Sequence, residues 1–222
     1  MPLTVVKVGG SLSRNPQALK DLCVKLSELA KVHQLVVVPG GAEFADCVRE
    51  LDKRFSLSAA TAHRMAILGM DQYGMLLADL TPNSQIVNGL SEARSVMVGR
   101  VAVFLPSRFM FEDGGLKSSW DVTSDSISVY IASKLSAEKV LLVKDVDGVF
   151  TEDPKKSVNA KLLKNMTRQQ MSKLANNTGV DAYLPKLLKE LKLKCYILNG
   201  QQPERIEAIL NGKDAVCTII FG

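Results

Sequence analysis

The stretch VVKVGGSL, beginning at Val5, sets a lysine inside an apolar run and ends that run on Gly9, Gly10 and Ser11. Glycines at the end of a strand expose backbone N–H groups and let an anion approach the main chain closely. Lys7 lies just upstream on the same run, so its ammonium can reach the same place. Together they make a phosphate cradle with a fixed cation. A second diglycine follows in VVPGGAEF (Val37–Phe44), where Gly40 and Gly41 precede a helical pattern. The free N–H groups and positive end of a helix make such a junction an anion site as well. Neither site fits the usual nucleotide fingerprints, because the chain contains no G-x-x-x-x-G-K-[ST] and no G-x-G-x-x-G. Paired anion sites at the ends of adjacent strands suit two phosphoryl-bearing ligands, or one donor and one acceptor.

Two more motifs hold chemistry. SSWDVTSDSIS (Ser118–Ser128) places Asp121, Thr123, Ser124 and Asp125 where a loop passes into an apolar helix. Thr123 or Ser124 is expected to cap that helix. Asp125 is read as an ionised carboxylate that orients lysines and does not act as a base. VKDVDGVFTEDPKK (Val143–Lys156) runs from a strand into Asp145, Asp147, Gly148 and Asp153-Pro154. It is rich in turn residues, and it lacks the ligand positions and terminal Glu of an EF-hand calcium loop.

The elements that must position these groups are legible in the hydrophobic pattern. Strands are expected at Leu3–Val8, Gln34–Pro39, Ser95–Gly99 with Val101–Pro106, Val140–Val146, Lys194–Asn199 and Val216–Phe221. Several are nearly continuous apolar runs, as strands covered on both faces are. Helices are expected at Pro16–Val32, Ala42–Phe55, Ser58–Leu80, Ser124–Leu135, Arg168–Ala175, Leu184–Leu193 and Pro203–Leu210. Asn15-Pro16 reads as an N-cap followed by proline at the first helical position. Strand–helix alternation from end to end predicts an α/β fold, a three-layer αβα sandwich with a mainly parallel central sheet. The irregular stretches, Arg108–Val122 and Val149–Asn165, are long loops of the kind that serve a site. The chain reads as one domain over 1–222, with a lobe boundary near residue 135.

Composition removes several function classes. Aromatic residues make up only 5% of the 222, too few to offer stacking platforms to single-stranded nucleic acid. The net charge of +5 comes from lysines and arginines spread along the chain, without a basic stripe, so no nucleic-acid partner is expected. No apolar run approaches the length of a membrane span. Cys23, Cys47, Cys195 and Cys217 stand too far apart for a metal knuckle or a Cys-x-x-Cys pair. They read as reduced, buried thiols, which suits the cytoplasm.

Taken in order, VKVGGS, VVPGGAEF, TSDSIS and LLVKDVDGVFTEDPK resemble the motifs of the amino acid kinase family, and the resemblance covers essentially the whole chain. It implies metal-assisted, in-line phosphoryl transfer from ATP without a covalent intermediate, with Mg²⁺ bridging ATP oxygens and no dedicated protein metal site. Lys7, Gly9, Gly10 and Ser11 would bind the phosphates in flight. Gly40 and Gly41, with Asp121 and Thr123, would hold the acceptor, and Asp125 would organise the catalytic lysines. The loop residues Lys144, Asp145, Val146, Asp147, Gly148, Val149, Phe150, Asp153, Pro154 and Lys155 would line adenine and ribose. The acceptor lobe would span about 1–135 and the ATP lobe about 136–222. The family's GGM-type segment is replaced by NTGVDAYLPKLLKEL (Asn177–Leu191), where Lys186, or else Lys189, stands for the second catalytic lysine.

The segments GGAEFADCVRE, AHRMAILGMDQYG and VDAYLPKLL are most similar to the family's small phosphate kinases of methanofuran biosynthesis, which act on an aminomethylfuran phosphate. That acceptor's ammonium would want a carboxylate, for which Asp46, Asp71 and Asp121 are available. Phe44, Met65, Tyr73 and Trp120 could wall its ring, and His63 could meet its phosphate. Kinases of isopentenyl phosphate or UMP, and a nucleotide-binding protein without turnover, are the competing readings. Family habit implies a homo-oligomer.

Overall fold

Strand β1 (Leu3–Val8) is buried along its whole length, lysine included. It lies inside an eight-stranded sheet of order β3-β4-β2-β1-β5-β7-β8-β6. The other strands are β2 (Gln34–Pro39), β3 (Ser84–Val87), β4 (Val101–Phe104), β5 (Lys139–Lys144), β6 (Asn165–Thr167), β7 (Lys194–Asn199) and β8 (Thr218–Phe221). The pairings are parallel except β7 with β8. The computed structural model describes residues 2–154, 156–174, 179–191 and 193–221.

The helices are α1 (Pro16–Leu29), α2 (Ala42–Phe55), α3 (Ala59–Leu80), α4 (Leu90–Ser95), α5 (Ser107–Asp113), α6 (Ser124–Lys134), α7 (Arg168–Leu174), α8 (Leu184–Leu191) and α9 (Glu204–Leu210), with a 3₁₀ turn at Gly10–Arg14. They cover both faces of the sheet. Alternate strand residues divide between two cores, as a side-chain period of two requires. Leu3 and Val5 of β1 pack with Ile127 and Ile131 of α6 and Leu187 of α8. Val6 and Val8 pack with Leu22 and Leu26 of α1 and Ile206 of α9. Lys7 belongs to the first series and therefore faces α6. Helix α6 is buried from Asp125 through Ala132, so it is enclosed on every side.

The expected three-layer α/β sandwich is present, and most elements lie where the pattern set them. Asn15 caps α1, its side chain accepting the Ala18 N–H at 3.2 Å, with Pro16 at the first helical position. The exceptions have physical reasons. Ser95–Gly99 is not a strand: Met97 and Val98 are exposed, and the run closes α4 and turns into β4. Strands β3 and β6 escaped notice because each is a short edge segment of mixed polarity. Helices α4 and α5 are equally short, and α5 falls in a stretch expected to be loop. Cys23, Cys195 and Cys217 are buried thiols, but Cys47 is exposed on α2.

The chain runs from β1 to β2, on to the edge strand β3 and back to β4 between them, then crosses to β5 on the other side of β1. Loops leaving the carboxyl ends of β1 and β5 diverge there, which opens a crevice at the topological switch point.

Candidate active site

At that crevice the diglycine loops meet back to back. Gly9 N–H donates to the Val143 carbonyl and Gly40 N–H to the Val8 carbonyl, both at 2.8 Å, so the sheet ladder continues past the strand ends. A Cβ on Gly40 would lie 2.5 Å from Gly10 N, and one on Gly10 would lie 2.3 Å from Ala42 N. Glycine is required at both places because backbone approaches backbone. Ala42, the first residue of α2, takes a positive φ of 45° to complete this elbow. Such strain persists only where the surroundings enforce it, typically at functional sites.

Lys7 and Asp125 meet across the β1–α6 contact, Nζ to Oδ1 at 2.8 Å, with both side chains almost fully buried. The other carboxylate oxygen takes Lys144 Nζ at 2.7 Å, from the last residue of β5. Burial alone would raise the Asp125 carboxyl, yet the Lys144 and Lys7 ammoniums override it and hold it well below the usual carboxylate range. Burial pulls the Lys7 ammonium down; Asp125 opposes that pull and Lys144 adds to it. Asp125 thus stands between two lysines, as expected, and one of them is Lys144, expected instead beside the nucleoside. Lys186 is exposed on α8, its Nζ 5.4 Å from the centre of the Tyr183 ring. Lys189 is exposed as well.

Asp181, which no motif singled out, braces this array and lines the same crevice. Its carboxylate is buried and accepts from Thr123 N and Oγ1 (both 3.0 Å), Ser126 N (2.9 Å) and Oγ (2.5 Å), and Leu184 N (2.9 Å). It therefore satisfies the N–H groups that open α6 and α8 together. Thr123 occupies the N-cap position but makes no side-chain cap of its own; Asp181 supplies it. Burial and then the Asp125 charge push the Asp181 carboxyl up, against those hydrogen bonds. The sequence signal was an aspartate shortly before a Leu-Pro helix start.

A cavity of about 710 Å³ opens over Lys7, Gly9, Gly10, Ser11, Asp125 and Lys144. Its outer wall includes Asp145, Val146, Gly148, Phe150, Asp153 and Pro154. Ser11 Oγ donates to Asp145 Oδ1 at 2.9 Å, tying the first glycine loop to the loop after β5. Two expected nucleoside contacts are placed otherwise. Val149 is fully buried in the core, its N–H donating to Thr218 Oγ1 at 2.8 Å. Asp147 accepts from Arg205 at 2.6 Å and from Asn199 Nδ2 at 3.1 Å, anchoring the loop to α9 and β7. Gly148 has φ 156°, and a Cβ there would strike Thr218 Oγ1 at 2.4 Å. Lys155 lies outside the described residues.

A second cavity, about 260 Å³, adjoins the first and shares Gly10, Ser11, Trp120, Thr123 and Ser124 with it. Its floor is apolar, from Ile67 and Met70 of α3 and Val122 and Ile127. Its rim carries Arg14, Glu43, Asp46 and Arg49, and the buried His63 also lines it. Residues one turn apart on α2 grip Trp120: Arg49 lies over the ring at 5.0 Å and pairs with Asp46 at 2.6 Å, while Asp52 accepts the indole N–H at 2.8 Å. Arg49 and Asp52 were not anticipated. Burial lowers the pKa of His63.

Of the expected acceptor residues, Gly41 and Thr123 line this cavity, and Gly40 serves the packing of the loops. Asp121 is exposed and pairs with Lys117 at 2.7 Å, away from the cavity. Among the carboxylates considered for an ammonium, Asp46 is on the rim; Asp71 instead accepts the Ser107 N–H at 3.1 Å. Tyr73 is wholly buried, its hydroxyl directed to the Gly9 carbonyl at 3.4 Å. Met65 and Phe44 do not line the cavity.

Comparison with known proteins places the chain in a family. The model of the "Amino acid kinase family" matches residues 2–199. The [5-(aminomethyl)furan-3-yl]methyl phosphate kinase of Methanocaldococcus jannaschii is 34% identical over 220 residues, covering 98% of this chain and 97% of its own. The uridylate kinase of Pyrococcus abyssi is 24% identical, covering 97% of this chain and 98% of its own. The crystal structure of uridylate kinase from Archaeoglobus fulgidus shares the fold, with a TM-score of 0.76 at 20% identity over 99% of this chain and all of that one. By its sequence, from β1 to the end of β7, the chain belongs to the amino acid kinase family.

Proposed function

We propose that the protein is an ATP-dependent kinase that phosphorylates the phosphate group of [5-(aminomethyl)furan-3-yl]methyl phosphate, giving the diphosphate. The observation that carries the kinase reading is the Lys7–Asp125–Lys144 array, set where a charge-lined cavity joins a small apolar-floored one. The acceptor follows the relative that is 34% identical over almost the whole chain. In this reading ATP lies in the larger cavity and the acceptor in the smaller one. The lobe over about 1–135 holds the acceptor, since the smaller cavity is lined from Gly10 to Ile127. The lobe over about 136–222 contributes the nucleotide loop.

An oxygen of the acceptor phosphate attacks Pγ of ATP in line. The new P–O bond forms as the bond from Pγ to the β,γ-bridging oxygen breaks, and ADP leaves with the electron pair. Two anions must approach each other, so lysines and backbone amides that neutralise the oxygens serve better than a strong base. Asp125 keeps Lys7 aimed into the site. Among the described residues no group of three or more His, Cys, Asp or Glu is arranged to hold a metal. Mg²⁺ would arrive on the ATP oxygens and supply further neutralisation of phosphate charge. The furan ring rests on Ile67, Met70 and Ile127, and Asp46 meets the ammonium. Among the described residues no helix is long and apolar enough to cross a membrane. A cytoplasmic protein and a homo-oligomer formed through the exposed Leu68, Met75 and Leu76 of α3 complete the reading.

ADP release from Mg·ATP, measured with the furan phosphate, isopentenyl phosphate, UMP, acetylglutamate and aspartate, tests it. A signal that needs the furan phosphate and disappears in Lys7→Ala and Asp125→Asn is the expected result. Turnover with UMP alone would favour the reading that the uridylate kinase relatives suggest. Tight ATP binding with no turnover on any acceptor would point to a non-catalytic nucleotide binder.

A further inference from the structure

We propose that Lys144, at the end of β5, is the second catalytic lysine of the transfer site, in place of the lysines of α8. The inference rests on the kinase reading above.

Three observations converge on Lys144. The first is position: β1 and β5 are neighbours in the sheet and flank the switch point, so Lys7 and Lys144 project from adjacent strand ends. The second is the shared carboxylate. Lys7 takes Oδ1 of Asp125 and Lys144 takes Oδ2, at 2.8 and 2.7 Å. One buried carboxylate therefore holds two ammoniums side by side, and an ammonium has three N–H donors to distribute. Two ammoniums on one carboxylate leave a net positive charge that favours a strongly anionic ligand, and both lysines line the larger cavity. The third is fixation. Lys144 Nζ also donates to the Gly179 carbonyl at 2.8 Å. Asp181, two residues further on, binds the opening turn of α6, which carries Asp125. The segment before α8 thus anchors the array with a carbonyl and a carboxylate, and its nearest lysine stays outside. Lys186 is exposed against the Tyr183 ring and does not line the cavity.

Lys144 gives up no proton in the step. It hydrogen-bonds the phosphate oxygens on which charge grows as the bond from Pγ to the bridging oxygen breaks and ADP takes the electron pair. A preorganised donor of this kind contributes about 10²–10³ in kcat.

The test compares Lys144→Met with Lys186→Met by thermal midpoint, ATP and AMP affinity, and steady-state turnover. AMP lacks the β and γ phosphates, so a lysine that meets them must separate the two nucleotides. Lys144→Met is expected to weaken ATP about tenfold with AMP unchanged, and to lower kcat about a hundredfold. Lys186→Met is expected to stay within about threefold of wild type in each. Equal weakening of ATP and AMP in Lys144→Met would overturn the assignment, because it would mark a damaged nucleotide loop. So would a larger loss in Lys186→Met than in Lys144→Met, or a Lys144→Met protein that behaves like wild type. Should Lys144→Met not fold, Lys144→Gln keeps a donor for Asp125 and is read against Lys186→Gln by the same criteria. If wild type turns over none of the acceptors, the acceptor assignment fails, while the ATP-over-AMP comparison still decides Lys144.

Discussion

The smaller cavity is made of helices and the larger one of strand ends and loops. Ile67 and Met70 come from the long helix α3, and Asp46 and Arg49 from one face of α2. A wall of regular elements is braced by the Arg49–Trp120–Asp52 grip, and in the proposed reading it receives the small acceptor. The larger cavity instead gathers Lys7, Asp125 and Lys144 at one end and a loop of turn residues at the other. Its wall is held by polar ties: Ser11 to Asp145, Arg205 to Asp147, and Thr218 behind Val149. In the proposed reading, shape selects in the first and charge acts in the second.

The largest effect is expected where the charge is concentrated. Asp125→Asn leaves Lys7 and Lys144 without their common counterion, so kcat should fall about a thousandfold and stability by about 3–5 kcal/mol. The same variant tests the pH dependence. The native Asp125 pKa lies below its unfolded value, so its contribution is complete above about pH 4 and is lost as pH falls further. Acid unfolding should therefore be steeper in wild type than in Asp125→Asn, as followed by circular dichroism. Identical acid limbs would separate the buried array from stability.

Asp181→Asn is expected to act next in size. The amide keeps an acceptor for the helix N–H groups but loses the charge, so about 1–2 kcal/mol of stability should go. kcat should fall about tenfold while the KM for ATP changes little, since Asp181 holds the turn of α6 that carries Asp125. An equal rise in KM would mean that Asp181 shapes the nucleotide wall directly.

The smallest effects should cross over between the cavities. Arg205→Met, which frees Asp147, is expected to raise the KM for ATP about fivefold and leave that for the acceptor unchanged. Asp46→Asn should do the reverse through the loss of a rim carboxylate. Kinetics that move both constants in both variants would merge what the structure keeps apart.

Much of this was legible in the chain. The continuous apolar runs announced strands covered on both faces, and the diglycines announced the ends at which a site would open. Asp125 could be read as an organiser of lysines because a carboxylate at the start of an apolar helix needs cations to remain charged. The short elements β3, β6, α4 and α5 were not legible, since their few residues show no sustained period. Val149 and Asp147 looked like ligand contacts because a turn-rich loop does not reveal which side chains turn inward.

By itself the sequence determined the α/β class, the succession of most elements and the chemistry at the strand ends. These depend on local periodicity and on residue types with little conformational choice. Only the tertiary structure decided which groups meet. Lys144 reaches Asp125 because β5 is inserted beside β1, and Asp181 reaches Thr123 and Ser126 from 58 and 55 residues away. Such contacts follow from strand order and helix packing, which no local pattern encodes, and they determine which lysines share the buried carboxylate.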